Sequence, residues 1–117
     1  MIYNTKYTKK AEARILYKEL DNGDEQFFVI SITHDRGQYR AHWELITQEH
    51  RGSYISTLSY PTADYNGQTI IKDGRFSLKY LEKADNIIRS NLIKYFELWK
   101  QGEYQRLCNE IHADINK

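Results

Sequence analysis

Three glycine-containing dipeptides, Asn22-Gly23, Arg36-Gly37 and Arg51-Gly52, divide the first half of this 117-residue chain into four segments of similar length. Asn-Gly is the strongest short hairpin signal because both central residues of a type I′ turn have positive φ. Arg-Gly fits a turn whose glycine lies in the left-handed region. The segments, at about 11–20, 25–34, 38–49 and 53–61, are rich in β-branched and aromatic residues. The pattern predicts a four-stranded antiparallel meander over residues 11–60.

The turns also predict the strand register. If each dipeptide is a two-residue loop, Ile15 lies opposite Ile30, Ile30 opposite Trp43, and Trp43 opposite Tyr60. The next row contains Tyr17, Phe28, Leu45 and Leu58. All of these residues are apolar or aromatic and share one face, and a slip of one residue would move a whole strand to the other face. We therefore expect this face to form the core, with Trp43 buried beneath helices.

The opposite face of the predicted sheet is mixed in character. Its apolar members are Leu16, Phe27, Val29, Ile46 and Ile55. A contiguous exposed apolar patch often marks a binding surface for another protein. The alternative is cover from the N-terminal arm or from residues 61–76. The group is thus a candidate partner-binding site, either for an unknown protein or for a second copy of this chain.

The second half of the chain changes to a helical pattern. Residues 61–76 contain Pro61 and two further turn signals, so they read as a loop. A short hairpin within 69–76, in which Ile71 would face Phe76, is an alternative that the pattern leaves open. Ser77 is a suitable N-cap for a long helix that ends at Gly102. A second helix is predicted from about Glu103 to Ile115. The expected fold is a single α+β domain, with a flexible arm at 1–10, the meander at 11–60, and two C-terminal helices within 77–116 packed on one sheet face.

Composition excludes several classes of protein. Seventeen Lys and Arg residues balance sixteen Asp and Glu residues, so a strongly basic nucleic-acid binder is not expected. One cysteine cannot form an intrachain disulfide, which fits a reducing compartment and predicts a cytoplasmic protein. The longest apolar run, at 27–30, is far too short to cross a membrane. No membrane partner is predicted.

One candidate catalytic group lies on the mixed face. It consists of Arg14, Arg40, His42 and Glu44. A histidine beside a carboxylate can act as a general base, because the carboxylate orients the imidazole and raises its basicity. A solvated cross-strand polar group is the simpler interpretation, because no nucleophile or metal ligand follows at a characteristic spacing. A small enzyme centred on His42 and Glu44 is therefore the third hypothesis.

No cofactor and no metal are predicted. Cys108 and His112 are four residues apart on a predicted helix, but Cys108 falls in the apolar stripe, where free cysteine is commonly inert. The histidines and the cysteine lack zinc-site spacing. No glycine-rich loop that could hold phosphate is present.

The N-terminal arm carries the alternative function. Ten tyrosines are unusual for this length, and two of them lie in a basic stretch made of Tyr3, Lys6, Tyr7, Lys9 and Lys10. Aromatic rings beside cations suit single-stranded nucleic acid, although a frayed end is the favoured interpretation. The first hypothesis is a small interaction protein, such as an adaptor, inhibitor or regulatory subunit, and a nucleic-acid-associated protein is the second.

Overall fold

The computed structural model describes residues 11–51, 54–59 and 66–117. Within them, five β-strands precede three α-helices. The elements are β1 (Ala11–Glu19), β2 (Glu25–Asp35), β3 (Gln38–Arg51), β4 (Tyr54–Ser59), β5 (Gly67–Asp73), α1 (Leu78–Ser90), α2 (Leu92–Lys100) and α3 (Tyr104–Ile115). Strands β1 to β4 form the expected antiparallel meander, with the helices after the sheet. The α+β prediction is confirmed.

The fifth strand is the main departure from the predicted topology. The free edge of β3 is shared, since β4 pairs with its Ile46–Arg51 half and β5 pairs antiparallel with its Gln38–Trp43 half. The loop prediction is therefore wrong for 67–73, and so is the hairpin in which Ile71 would face Phe76. The β-branched stretch at 69–71 pairs with the open part of β3 that β4 does not reach, because an unpaired strand edge favours strand addition.

The predicted register holds in one hairpin and is displaced by two residues in the other two. Between β2 and β3, Ile30 lies opposite Trp43 and Phe28 opposite Leu45, as predicted. Between β1 and β2, Ile15 lies opposite Phe28, and the predicted Ile15–Ile30 pair is wrong. Between β3 and β4, Leu58 lies opposite Thr47 instead of Leu45. A shift of two residues keeps each side chain on its predicted face.

Trp43 is buried, as predicted, but its neighbour across the strand pair is Gly67 of β5. The predicted neighbour, Tyr60, lies outside the described residues. Where β4 ends and β5 begins, the amide of Leu45 donates a hydrogen bond of 3.3 Å to Oδ1 of Asn66. This side chain satisfies a backbone group of β3 at the interruption between the two edge strands.

The core lies between the sheet and the helices. On the inward face, Tyr17 of β1 and Phe28 of β2 pack against Phe96 and Trp99 of α2, with ring centroids 5.0 to 6.3 Å apart. The buried cluster continues through Ile30, Ile32, Tyr39, Ala41, Leu81, Ile88, Leu107 and Ile111. We call the opposite surface of the sheet the outer face. Among the side chains that the structure describes, none of the apolar ones on the outer face belongs to this cluster.

The long helix predicted after Ser77 is divided into two helices. Ser77 caps α1 by accepting a hydrogen bond from the amide of Tyr80, and Gly102 follows the end of α2, as the sequence indicates. The break lies at Asn91, whose side-chain amide donates to the carbonyl of Ile87 at 2.9 Å. Such side-chain bonds compete with helical backbone bonds. Within the described chain there are thus three helices after the sheet, and none has the length and apolar character needed to cross a bilayer.

Candidate functional site

The outer face of the sheet brings together most of the residues that the sequence singles out. Backbone pairing arranges β1, β2 and β3 in cross-strand rows. The apolar row is Leu16–Phe27–Ile46, the central row is Arg14–Val29–Glu44, and the histidine row is Glu12–Ser31–His42, which Gln68 of β5 extends. Four of the five residues of the predicted partner-binding group therefore lie in two adjacent rows.

Exposure varies along these rows. Leu16 has 42% of its surface exposed, whereas Val29 and Ile46 keep only 5% and 4%. Phe27 is half-buried, and the guanidinium of Arg14 lies 5.4 Å from the centroid of its ring. Within these three rows, the accessible apolar surface is thus concentrated on Leu16 and Phe27, next to an aromatic–cation contact.

Ile55 lies further away than predicted. Its backbone pairs with His50, two rows beyond Ile46 on the same face. The two-residue displacement of β4 accounts for this difference, since the predicted register would place Ile55 one row from Ile46. The other predicted members are joined by the strand pairing itself, and Ile55 is not adjacent to them.

The predicted polar group is spread across the outer face and does not converge on one point. Arg14 forms an ion pair of 3.0 Å with Glu12, and Arg40 donates a hydrogen bond of 2.7 Å to Oε1 of Gln38. Arg14 and Glu44 lie on either side of Val29, about 10 Å apart at strand spacing. The two arginines therefore do not flank His42 and Glu44 as parts of one catalytic site.

His42 and Glu44 do share a surface depression. It has a volume of about 280 Å³, is broadly open to solvent, and lies at the interruption between β4 and β5. Its walls are His42, Trp43, Glu44, Asn66, Gly67 and Gln68. Nε2 of His42 lies 2.8 Å from the hydroxyl of Thr33, a neighbour that the sequence pattern placed on this face but did not pair with the histidine. This arrangement can accept a small polar molecule in contact with an imidazole.

The Cys108–His112 pair does not form a nucleophilic site. Nε2 of His112 lies 2.9 Å from the hydroxyl of Thr69 on β5, which holds α3 against the sheet. Burial raises the pKa of the Cys108 thiol, so the reactive thiolate is disfavoured. Among residues 11–51, 54–59 and 66–117, no three His, Cys, Asp or Glu side chains are grouped to hold a metal ion.

A charged network between α2 and α3 was not predicted from the sequence. The hydroxyl of Tyr95 donates to Oδ2 of Asp114 at 2.7 Å, and Nζ of Lys94 contacts the same carboxylate at 2.8 Å and Glu110 at 3.0 Å. Burial by itself would raise the pKa of Asp114, but hydrogen bonds from Lys94 and Tyr95 outweigh burial and lower it. Burial, reinforced by the bond to Asp114, raises the pKa of Tyr95. The network joins two helices, and no spacing along the chain indicates it.

The predicted nucleic-acid arm, Tyr3, Lys6, Tyr7, Lys9 and Lys10, lies outside the described residues.

No protein-family model matches the chain, and neither a curated protein nor a solved structure is significantly similar to it. Within the described residues, the features that bear on function are therefore the outer face and the depression beside it.

Proposed function

We propose that this chain is a non-catalytic interaction protein whose contact surface is the outer face of the sheet. The observation that carries the proposal is the apolar row on that face. The three helices pack on the inward face, and Leu16 in the row keeps 42% of its surface exposed. An antiparallel sheet with one solvated face normally carries polar residues there, so an apolar row favours a protein partner.

The residues around the apolar row support the same function. Arg14 and Glu44 border it in the central row, and Glu12 and His42 follow in the next. An apolar centre with a polar rim is the usual arrangement of a protein–protein interface. We also propose a cytoplasmic location, which the single cysteine supports because structural disulfides are rare there.

Capture of a partner by the immobilised protein tests this function. Phe27→Asp should abolish the capture, because it places a charge in the apolar row. Ile93→Asp is the matched control, since Ile93 is a 68% exposed apolar residue on α2, away from the outer face. A partner that is retained by the Ile93 variant and lost by the Phe27 variant supports the proposal. A partner lost only by the Ile93 variant would assign binding to the helices instead.

A second candidate is binding or turnover of a small polar molecule in the depression. The observation that favours it is the presence of both His42 and Glu44 in its wall. Ligand-screening NMR would detect such binding, and His42→Gln should weaken it while Phe27→Asp leaves it unchanged. The nucleic-acid alternative predicts instead that the protein is retained on a polyanion column and that retention falls steeply with salt.

A further inference from the structure

We infer that the partner of the outer face is a second copy of this chain, packed face to face about a twofold axis that runs parallel to β2. This inference rests on the proposed function and specifies its partner. The order of charges in the cross-strand rows supports this partner. Self-complementary patches of this kind are the basis of twofold dimers.

A twofold axis parallel to β2 places β1 of one copy over β3 of the other. It does not change the position of a row along the strand direction, so each row lies over the same row of the second copy. Each residue of β1 then faces the residue of β3 that belongs to its row. In the central row, Arg14 of one copy faces Glu44 of the other, and symmetry repeats the pair. In the apolar row, Leu16 faces Ile46, while Phe27 faces its own equivalent close to the axis. Opposite charges and apolar residues thus meet their complements in both rows.

The other simple arrangement has the twofold axis perpendicular to the strands. It keeps β1 over β1, so with the axis at the central row Arg14 would face Arg14 and Glu44 would face Glu44. Like charges placed opposite each other across an interface strongly weaken association. Stacked sheets lie about 10 Å apart and cross at about −30°, so each copy is turned by about 15° from the axis. Across adjacent rows this rotation is small enough that facing arginine and glutamate side chains can still contact each other.

The histidine row follows the same rule, since Glu12 of one copy would face His42 of the other. Arg14 already pairs with Glu12 in its own chain at 3.0 Å. Its guanidinium has five N–H donors, so it can contact Glu12 and the second copy's Glu44 together. Within one chain Val29 lies between Arg14 and Glu44 and keeps them apart. In the proposed dimer, an ion pair between these two residues therefore forms between the copies and not between the strands of one copy.

Two charge-reversal variants test the arrangement by sedimentation equilibrium at micromolar concentrations. Arg14→Glu and Glu44→Arg should each weaken self-association by at least about tenfold, because each places like charges opposite each other twice. An equimolar mixture of the two variants should form a one-to-one heterodimer, with a dissociation constant within about threefold of the wild-type homodimer. In that heterodimer both facing pairs carry opposite charges again. Circular dichroism and thermal unfolding of each variant establish that it is folded.

Each outcome is decisive for either the partner or the face. Restoration in the mixture, together with loss of the dimer in Phe27→Asp, supports the inference. A wild-type protein that is monomeric throughout overturns it. The proposed function then still depends on the separate capture experiment. If Phe27→Asp abolishes a wild-type dimer but the mixture of charge-reversal variants does not restore it, the outer face remains the contact surface. The arrangement about β2 is then overturned.

Discussion

The contact between Trp43 and Gly67 shows how one side chain restricts which residue can occupy the facing position of the sheet. The two residues lie opposite each other between β3 and β5, and the indole occupies the space in which a side chain at position 67 would stand. A Cβ on Gly67 would overlap with atoms of both indole rings. The requirement for glycine here comes from close approach, and not from a left-handed backbone.

Gly67→Ala should therefore lower the free energy of unfolding by about 1–3 kcal/mol, because the indole has to shift within a packed core. Chemical denaturation monitored by tryptophan fluorescence measures this loss. In a Trp43→Phe background the same substitution should cost less, since the smaller ring leaves room for the methyl group. Gln68→Ala, at the next and exposed position, is the control and should change stability by less than about 0.5 kcal/mol. Equal costs in both backgrounds would contradict the steric explanation.

Asp114 provides a residue-scale prediction that depends on pH. Its pKa is lower in the folded protein, so its contribution is fully present above the ordinary carboxyl pKa and is lost as the pH falls through the folded value. At pH 7, Asp114→Asn should cost about 1–3 kcal/mol, because Lys94 and Tyr95 lose a charged acceptor. The difference in melting temperature between wild type and variant should shrink below about pH 4.

Asp85→Asn is the matched control for this prediction. Asp85 pairs with Arg89 at 2.9 Å on the exposed side of α1, so the substitution should cost less than about 0.5 kcal/mol. If both asparagine variants had the same effect at pH 7, the network between α2 and α3 would have no special stabilising role.

At the scale of elements, the sequence predicts the faces of the strands better than their pairing. In the first hairpin the amide of Leu20 donates to the carbonyl of Asp24, and the amide of Gly23 donates to the carbonyl of Leu20. The loop between Leu20 and Asp24 therefore has three residues, and its Gly23 has a φ of +90°. This loop displaces the register by one residue, and an irregularity between Leu16 and Lys18 displaces it by one more. Together they restore the parity, which explains why Ala13 and Ile15 still point toward the core.

The second hairpin matches its prediction because its turn is the expected one. Arg36 and Gly37 both have positive φ, 53° and 74°, which is the conformation of a two-residue type I′ loop. At the third hairpin, Arg51 pairs with Tyr54, whereas a two-residue loop made of the Arg-Gly dipeptide would pair His50 with Ser53. A glycine fits either position of a tight turn, and therefore composition alone cannot choose between the two registers.

Two features could not be predicted from the local sequence pattern. The pairing of β5 with β3 depends on where β4 ends, which no local signal near residue 67 specifies. The break at Asn91 depends on a side-chain bond to Ile87 in a stretch whose apolar stripe continues without interruption. Membership of the outer face, in contrast, follows from strand parity and could be predicted for Leu16, Phe27 and Ile46. The row that joins Phe27 to Ile46 was also predictable, but the pairing of Leu16 with Phe27 depends on the two-residue displacement of β1.

The end of α2 gives a prediction at this scale. Gly102 has a φ of +74°, its amide donates to Trp99, and the amide of Glu103 donates to Leu98, which together form a Schellman motif. Gly102→Ala should destabilise the protein by about 1–2 kcal/mol, because a Cβ disfavours the left-handed region. Gly102→Asn should cost less, since asparagine tolerates that region. Urea denaturation of the two variants measures the order, and an alanine variant as stable as the asparagine variant would contradict it.

At the scale of the whole molecule, the N-terminal strand depends on the C-terminal helices. α1 and α2 both pack on β1, and Nη2 of Arg89 donates to the backbone carbonyl of Glu12 at 2.7 Å. Contacts that join the two ends of a chain favour a single cooperative unfolding transition.

A chain that ends after residue 76 should therefore not fold cooperatively. Its inward face would expose Phe28, Ile30 and Ile32, which are fully buried beneath the helices of the full chain. We expect strong binding of a hydrophobic dye, loss of near-ultraviolet circular dichroism and no sharp thermal transition. A sharp transition in this fragment would show that the sheet is stable without the helices.

The placement of the helices after the sheet has a consequence for biosynthesis. A ribosome adds about 5–20 residues per second, so the 78–115 region follows the last strand by a delay on the order of seconds. During that interval the nascent sheet has an uncovered aromatic face on one side and the apolar row on the other. Apolar sheet surfaces that are not yet covered at this stage promote aggregation. We therefore expect the demand of this chain for chaperones to be greatest just before its last third is synthesised.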